Sequence, residues 1–292
     1  MNVLMIGATG MLGRPVARRL VDDGFALRII TRDADRARTV LPKGVEIHSG
    51  DLRDEQAMIA AMGQIDAIYI NLAAPMAKRS PPYEPELHGT QAIVSAAGKA
   101  NARRIVRISA LGVDDAADQW WAARHKFEAD NVVMNSGLEW TIFRPTWLME
   151  SLATLKPPGR FIISLNIGDF PLRWIAGEDY ARQVSAALRS GASVNRVYVP
   201  QGPELATIND AVRRFAQAWP GGLHVIPASL ALMRFGRPFS GKMHYLTSLL
   251  DMTRDHFARL DRQVFATDLP QSHMKIEDYV GYIQRTGDVP RK

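Results

Sequence analysis

Val3-Leu4-Met5-Ile6-Gly7-Ala8-Thr9-Gly10-Met11-Leu12-Gly13 is the stretch that decides the fold. An apolar run of strand type, Val3 to Ile6, feeds a glycine turn, and the turn opens a helical pattern from Met11 to Leu20. Gly7, Gly10 and Gly13 are spaced GxxGxxG. In a strand–turn–helix unit the first glycine permits the tight turn. The second lets the backbone approach a pyrophosphate, and the third lets the helix pack closely on the strand while its N-terminus faces the anion. A glycine triplet alone is often no more than a turn. With a strand before it and a helix after it, Gly7, Ala8, Thr9, Gly10, Met11, Leu12 and Gly13 read as a dinucleotide cradle.

Outward from this unit, strand and helix patterns alternate. Strands are expected at Val3–Ile6, Ala26–Ile30, Val45–His48, Ala67–Ile70, Arg104–Ile108 and Trp140–Phe143. Helices are expected at Leu12–Asp22, Asp33–Leu41, Asp54–Met62, Glu84–Ala100 and Gln119–Asn135. Such alternation implies right-handed crossovers and a parallel sheet covered on both faces. After Arg144-Pro145 the regularity fails. Short strands are expected at Phe161–Ser164, Pro171–Ile175 and Arg196–Val199, and helices at Glu178–Arg189 and Thr207–Trp219. The last seventy or so residues read as mainly helical, with Leu246, Leu249, Leu250, Phe257 and Leu260 at helical spacing. The simplest account is a smaller lobe over the carboxyl ends of the strands, where open α/β sheets bind ligands.

Composition narrows the classes. The 292 residues are 47% hydrophobic, which suits a globular core, and contain no cysteine. Disulfides, thiolate nucleophiles and cysteine metal sites are therefore excluded. The seven histidines show no metal-ligand spacing, so no metal is expected. The first strand begins at the N-terminus, which predicts no signal peptide. No apolar run is long enough to span a bilayer, so a cytoplasmic protein without a membrane partner is expected. The net charge is +6, gathered at Arg18-Arg19, Arg32 to Arg38, Arg103-Arg104 and Arg213-Arg214. These read most simply as solvated faces, and more sharply as a field for an anionic cofactor or acidic partner. No helix-turn-helix or basic-aromatic pattern points to nucleic acid.

The end of the second strand identifies the dinucleotide. An acidic residue there would meet a free ribose 2′-hydroxyl, whereas a basic one pairs with a 2′-phosphate. This chain has Thr31-Arg32, with Arg36 and Arg38 on the following helix. Arg32 is suited to a bidentate phosphate contact, which favours NADP(H) and leaves NAD(H) open. The plainer reading is an ordinary surface arginine. Asp33 reads as a helix cap. Asp51 and Leu52 follow the third strand, where Asp51 can accept from the adenine amino group, cap the next helix, or both. Asn71 to Ala74, including Ala73, end the fourth strand and would line the ribose and diphosphate crevice.

These motifs together resemble the atypical short-chain dehydrogenase/reductases. They are Gly7 to Gly13, Thr31-Arg32-Asp33, Gly50-Asp51-Leu52 and Asn71-Leu72-Ala73-Ala74. Ser136-Gly137-Leu138-Glu139-Trp140-Thr141-Ile142-Phe143-Arg144-Pro145, Ile175-Ala176-Gly177-Glu178-Asp179 and Tyr198 to Pro203 resemble the NmrA-like branch. The resemblance covers about the first 220 residues. It implies an α/β fold, a doubly wound parallel-sheet Rossmann domain over residues 1–150. A smaller, mainly helical C-terminal lobe would follow over 151–292, with some elements returning to the core. It implies NAD(P)H, usually NADPH. The branch holds quinone reductases, other reductases of aromatic substrates, and non-catalytic redox sensors that bind cofactor and control a partner.

The parent superfamily uses Tyr-x-x-x-Lys on the helix after the fifth strand. None of the seven tyrosines here has a lysine four residues on. Lys126 stands at the family's lysine position, but Ala122 holds the tyrosine position. Alcohol oxidation and nucleotide-sugar epimerisation would lose their proton-transfer group. Hydride delivery to a quinone-like acceptor needs less help. The reading therefore leans toward an NADPH-dependent reductase of a conjugated small molecule, with a sensor as the alternative and an epimerase behind both. Lys126 is expected at the nicotinamide ribose or as a proton donor, against a surface lysine as the plainer reading. Ser109 is expected to face the substrate, against strand-end capping. His125 is a possible acid or simply a half-buried helix residue. Trp120, Trp121, Trp147 and Trp174 would flank a planar acceptor or pack between the lobes. Met134, Met149 and Met243 read as gap-filling core residues. The partner is expected to be a small-molecule substrate or a protein, and the chain a monomer or homodimer.

Overall fold

A computed structural model describes residues 1–165, 170–257 and 267–287. Seven strands form one parallel sheet. They are β1 (Asn2–Ile6), β2 (Ala26–Thr31), β3 (Glu46–Ser49), β4 (Ala67–Ile70), β5 (Arg104–Ile108), β6 (Glu139–Phe143) and a late arrival, here β10 (Arg196–Tyr198). Their spatial order is β3-β2-β1-β4-β5-β6-β10. The order reverses between β1 and β4, where Val3 pairs with Leu27 on one side and Ala67 on the other. A crevice opens at that switch point beyond the carboxyl ends of the strands. Every residue of β4 and β5 is buried, as expected of parallel strands covered on both faces.

Helices cover the two faces. α1 (Gly13–Asp22) has an apolar stripe of Val16, Ala17 and Leu20, and packs beside α8 (Gly177–Arg189) over a core that includes Met5, Ile29 and Phe143. On the opposite face, α3 (Glu55–Ala61), α4 (Thr90–Lys99) and α6 (Trp121–Met134) enclose Leu4, Ile68, Ile93 and Ile105. α2 (Ala34–Val40) flanks β3 and starts at Asp33, whose carboxylate accepts from the Arg36 N–H at 2.9 Å, as the sequence predicts. The expected helix at Glu84–Ala100 begins differently. Pro85 opens a π turn over Pro85–Gly89, with the Glu84 side chain accepting from the Leu87 N–H, and α4 follows.

Several elements are too short for periodicity to reveal. α5 (Val113–Ala116) precedes α6, and β7 (Trp147–Leu148) and α7 (Glu150–Thr154) follow β6. β7 joins β9 (Leu172–Ile175) and β11 (Leu205–Ala206) in a small sheet. The last seventy residues contain a strand that a helical reading missed: β12 (His224–Ala228) pairs in parallel with β8 (Phe161–Leu165). Helices dominate the rest of the lobe, with α9 (Ile208–Ala218) before β12 and α10 (Leu230–Phe235), α11 (Gly241–Met252) and α12 (Ile276–Thr286) after it. Leu260 of the expected helical stripe lies outside the described residues. The lobe has its own core, in which Trp174, Met149, Phe215 and Tyr279 meet. Met149 is fully buried and Met243 is 36% exposed, so the expected filler role fails for Met243.

Candidate cofactor and active site

The cradle follows from the backbone. Gly7 has φ +79°, and a Cβ there would overlap the Asn71 carbonyl, so the β1 turn and the β4 end fit only with glycine between them. A Cβ on Gly13 would overlap the carbonyls of Gly7 and Ala8. Gly10 differs: its Cβ would meet only the Gly7 oxygen, at 3.2 Å, on an exposed surface. Gly7 and Gly13 are thus demanded by the fold, whereas Gly10 is exposed where a ligand would approach. Among the described residues, no side chain caps the start of α1 and no acidic residue occupies its first turn. Its N-terminal amides and dipole therefore fit a pyrophosphate. Ala8 and Leu12 are buried beneath the turn, with Thr9 and Met11 half-buried on it.

At the end of β2, the Thr31 hydroxyl accepts from the Asp33 N–H at 3.2 Å, and the Thr31 carbonyl accepts from the Gly50 N–H at 3.0 Å. These bonds fasten the ends of β2 and β3 together and leave Arg32 exposed; Arg36, one turn on, is exposed too. The expected capping by Asp51 is not found. Asp54 caps α3 by accepting from the Ala57 N–H. Asp51 instead accepts from the Arg53 guanidinium through Nε and Nη2, each at 2.9 Å, and from the Arg53 N–H at 2.9 Å. Arg53 holds the Asp51 carboxyl down at about 2, with Arg32 adding a smaller attraction. Arg53 also lies over the Tyr83 ring at 5.7 Å. Arg53 and Tyr83 thus gather around Asp51 and were missed in the sequence, since neither sits at a strand end. Leu52 and Leu72 approach Gly89 from the other side. Asn71 continues the sheet through its N–H to Ile6 O at 3.0 Å, and Ala73 is exposed beyond it.

Toward β5 the site becomes a chain of alternating charges. Lys126 Nζ lies 2.9 Å from Glu86 Oε2, and Arg107 bridges Glu86 Oε1 at 2.7 Å to Asp130 Oδ1 at 2.9 Å. Arg144 then joins Asp130 at 3.1 Å to Asp114 at 2.9 Å. Glu86, Arg107 and Asp130 are essentially fully buried. The Ser109 hydroxyl donates to Asp130 at 2.8 Å. Ser109 and Lys126 therefore stand on one connected network but do not touch. Its centre, Arg107, was invisible as a site residue; the available signal was an arginine inside a strand buried on both faces. Arg104, read as a solvated cluster, is likewise buried, and donates to Thr141 and Ser193. That corrects the surface reading for one of the paired arginines.

Beside Lys126 runs an aromatic wall. Tyr83 stacks on His88 at 5.7 Å, His88 meets His125 at 6.3 Å, and His125 meets Trp121 at 5.7 Å. His125 also faces Glu84 Oε2 at 3.6 Å. Burial, reinforced by the neighbouring Glu86, raises the Glu84 carboxyl above its usual range. Along this wall the Tyr83 hydroxyl, Glu84 Oε1 and the Trp121 Nε1–H are buried without a hydrogen-bond partner. Such atoms mark where a ligand can supply the missing bonds. Trp120 is buried against Tyr245 at 4.9 Å. Trp147 and Trp174 contact each other at 6.0 Å and donate to Ser151 and Ala206, so they belong to lobe packing.

A sequence profile described as NAD(P)H-binding matches residues 7–190. The chain belongs to the NAD(P)H-binding family. It is 30% identical over 217 residues to a (4-alkanoyl-5-oxo-2,5-dihydrofuran-3-yl)methyl phosphate reductase of Streptomyces griseus subsp. griseus, covering 74% of this chain and 73% of the relative. It is 27% identical over 207 residues to an NAD(P)H azoreductase of Xenophilus azovorans, covering 69% and 68%. In fold it resembles the crystal structure of an NADPH-dependent quinone oxidoreductase from Escherichia coli complexed with NADPH. The TM-score is 0.75 at 18% identity, over 97% of this chain and 99% of that one. The expected Rossmann fold, the NmrA-like resemblance and NAD(P)H as cofactor are all borne out.

Ala122, at the position where the sequence resemblance leads one to expect a tyrosine, is buried. One tyrosine does approach from elsewhere. Tyr245, on α11, touches Trp120, and burial together with Glu86 and Glu84 pushes its phenol up to about 12. Spacing to a lysine could never reveal it, because it arrives from the second lobe.

Proposed function

We propose that this protein is an NADPH-dependent reductase of a quinone-like or otherwise conjugated small molecule. The observation that carries the reading is the placement of Lys126 and its Glu86 partner beside a wall of rings, Tyr83, His88, His125 and Trp121, with alanine at the tyrosine position. NADPH supplies the hydride when bound. Gly7 to Gly13 and the α1 N-terminus hold the pyrophosphate, Arg32 and Arg53 pair with the 2′-phosphate, and Asp51 and Leu52 border the adenine. Asn71 and Ala73 line the ribose crevice. Lys126 donates to the nicotinamide ribose hydroxyls, and Glu86 fixes the ammonium in place. Ser109 positions Asp130 and, through Arg107, that same Glu86. The ring wall receives a flat acceptor, whose reduced oxygen or nitrogen takes its proton from Lys126 or from water. No tyrosine is required for such an acceptor.

The test is titration of the purified protein with NADPH and NADH, followed by menadione with the nicotinamide absorbance recorded. Tight NADPH binding and rapid loss of absorbance are expected. Tight binding without turnover across a panel of quinones and dyes would overturn the reductase reading in favour of a redox sensor.

A further inference from the structure

Among the described residues no helix is long and apolar enough to cross a membrane, yet one end of the molecule leaves large apolar side chains in water. Leu232, Phe235 and Phe239 are 71%, 75% and 84% exposed. They recur at helical spacing along and just past α10, a helix without a single buried residue, and the two phenylalanine rings lie 6.4 Å apart. Met76 and Met243 extend the exposed apolar surface. The patch is held to the site's own loop. Lys78 Nζ donates to Pro238 O at 2.7 Å, and the start of α11 rests on Ala77 and Lys78. That loop begins at Asn71, and α11 carries Tyr245 into the site on its other side.

The described charge around the patch is predominantly positive. Residues 221–250 contain no aspartate or glutamate. Among the described residues beside the patch, the cations Lys78, Arg79, Arg234, Arg237, Lys242 and Arg254 outnumber the carboxylates Asp251 and Asp255, with which the arginines at 234, 237 and 254 are paired. A twofold contact with a second copy would set this excess of four positive charges against itself. Exposed phenylalanine and leucine within a basic rim instead match the two signals of peripheral membrane attachment, apolar insertion and attraction to anionic headgroups.

We propose that the α10 tip docks this protein on an anionic lipid surface, with Leu232, Phe235 and Phe239 entering the headgroup boundary and Lys78, Arg79 and Lys242 meeting the headgroup phosphates. The loop that follows Asn71 then lies beside the bilayer, where an apolar conjugated acceptor dissolves; this consequence alone rests on the reductase reading.

The experiment is flotation of the full chain with phosphatidylcholine vesicles, with and without phosphatidylglycerol. Binding is expected only to the anionic vesicles, and raised salt should weaken it. Phe235→Ser/Phe239→Ser should lower the bound fraction at least tenfold and Lys242→Glu should lower it severalfold, each while NADPH titration stays unchanged. The salt series on the unaltered chain keeps the test decisive if a variant misfolds. Absence of binding, equal binding to neutral vesicles, or binding indifferent to both variants would overturn the proposal. So would a dimer in solution that Phe235→Ser/Phe239→Ser dissociates, without vesicle binding, since a second copy would then own the patch. Menadione turnover of the same proteins without vesicles is read separately, so failure of the reductase reading leaves the docking result intact.

Discussion

Arg53 shows how much of the proposed adenosine end depends on the fold. Arg32 could be read as a candidate because it directly follows β2, and the second strand's end meets the ribose in folds of this type. Arg53 follows Asp51 in a turn and reads as an ordinary exposed charge until the structure sets it over Tyr83 and against Asp51. If both arginines meet the 2′-phosphate, replacing either removes a charge-assisted bond worth about 1.5–3 kcal/mol. Arg32→Ala and Arg53→Met should each weaken NADPH by roughly 10–100-fold, while NADH changes by less than about threefold. Fluorescence titration with both nucleotides measures the ratio, and equal losses would remove the phosphate role. Arg53 also sets the Asp51 titration. Its guanidinium favours the ionised carboxylate, so the folded value, about 2, lies below the unfolded one. The bond contributes stability above the ordinary carboxylate range, and that contribution is lost as pH falls through about 2. In Arg53→Met the Asp51 carboxyl should titrate near its usual value of about 3.9, followed by NMR of the carboxyl carbon. A midpoint still near 2 would assign the depression to another group.

The glycine loop and β5 illustrate opposite degrees of legibility at the scale of elements. The loop was readable because its glycines are set by backbone geometry, and the structure divides their roles. Gly7→Ala or Gly13→Ala places a Cβ onto backbone carbonyls and should unfold the protein or lower its Tm by many degrees. Gly10→Val meets little of the protein itself, so its Tm should stay near that of the parent while NADPH and NADH binding are both lost. Retained binding would refute the pyrophosphate cradle. β5 read only as a strand, because pattern reasoning treats each strand as apolar and has no term for a buried network. Arg107 projects from it between Glu86 and Asp130, both also buried. Removing one member leaves the others as uncompensated buried charge, which costs about 3–5 kcal/mol. Arg107→Met should lower stability by that amount in urea denaturation. A change under about 1 kcal/mol would mean that water reaches the carboxylates. The short elements β7, α5 and α7 went unseen because two to five residues are too few to show a period.

At the scale of the whole molecule, the boundary near residue 150 describes the order of the chain better than its cooperativity. β10 returns to complete the main sheet and α8 returns to cover α1. The C-terminal segment is then sewn onto α8. Asp179, buried within that helix, accepts from the backbone N–H groups of His273 and Met274, each at 2.9 Å, and Gln183 donates to Pro270 O at 3.0 Å. Farther on, Arg18 of α1 donates to the Tyr282 hydroxyl of α12 at 2.8 Å. None of these bonds was visible in the sequence, since each joins residues about 90 or more apart whose pairing only the topology decides. Because the last helix is tied to the first, neither lobe can open without exposing the core of the other. Calorimetry should therefore give one unfolding transition, with calorimetric and van't Hoff enthalpies agreeing. If NADPH binds as proposed, through β1, β2 and α1, saturation to about 100 times Kd should add about 2.7 kcal/mol and move the whole transition upward. Two transitions, only one of them shifted by NADPH, would show instead that the C-terminal lobe unfolds by itself and that the Asp179 and Arg18 contacts do not couple it to the nucleotide-binding sheet.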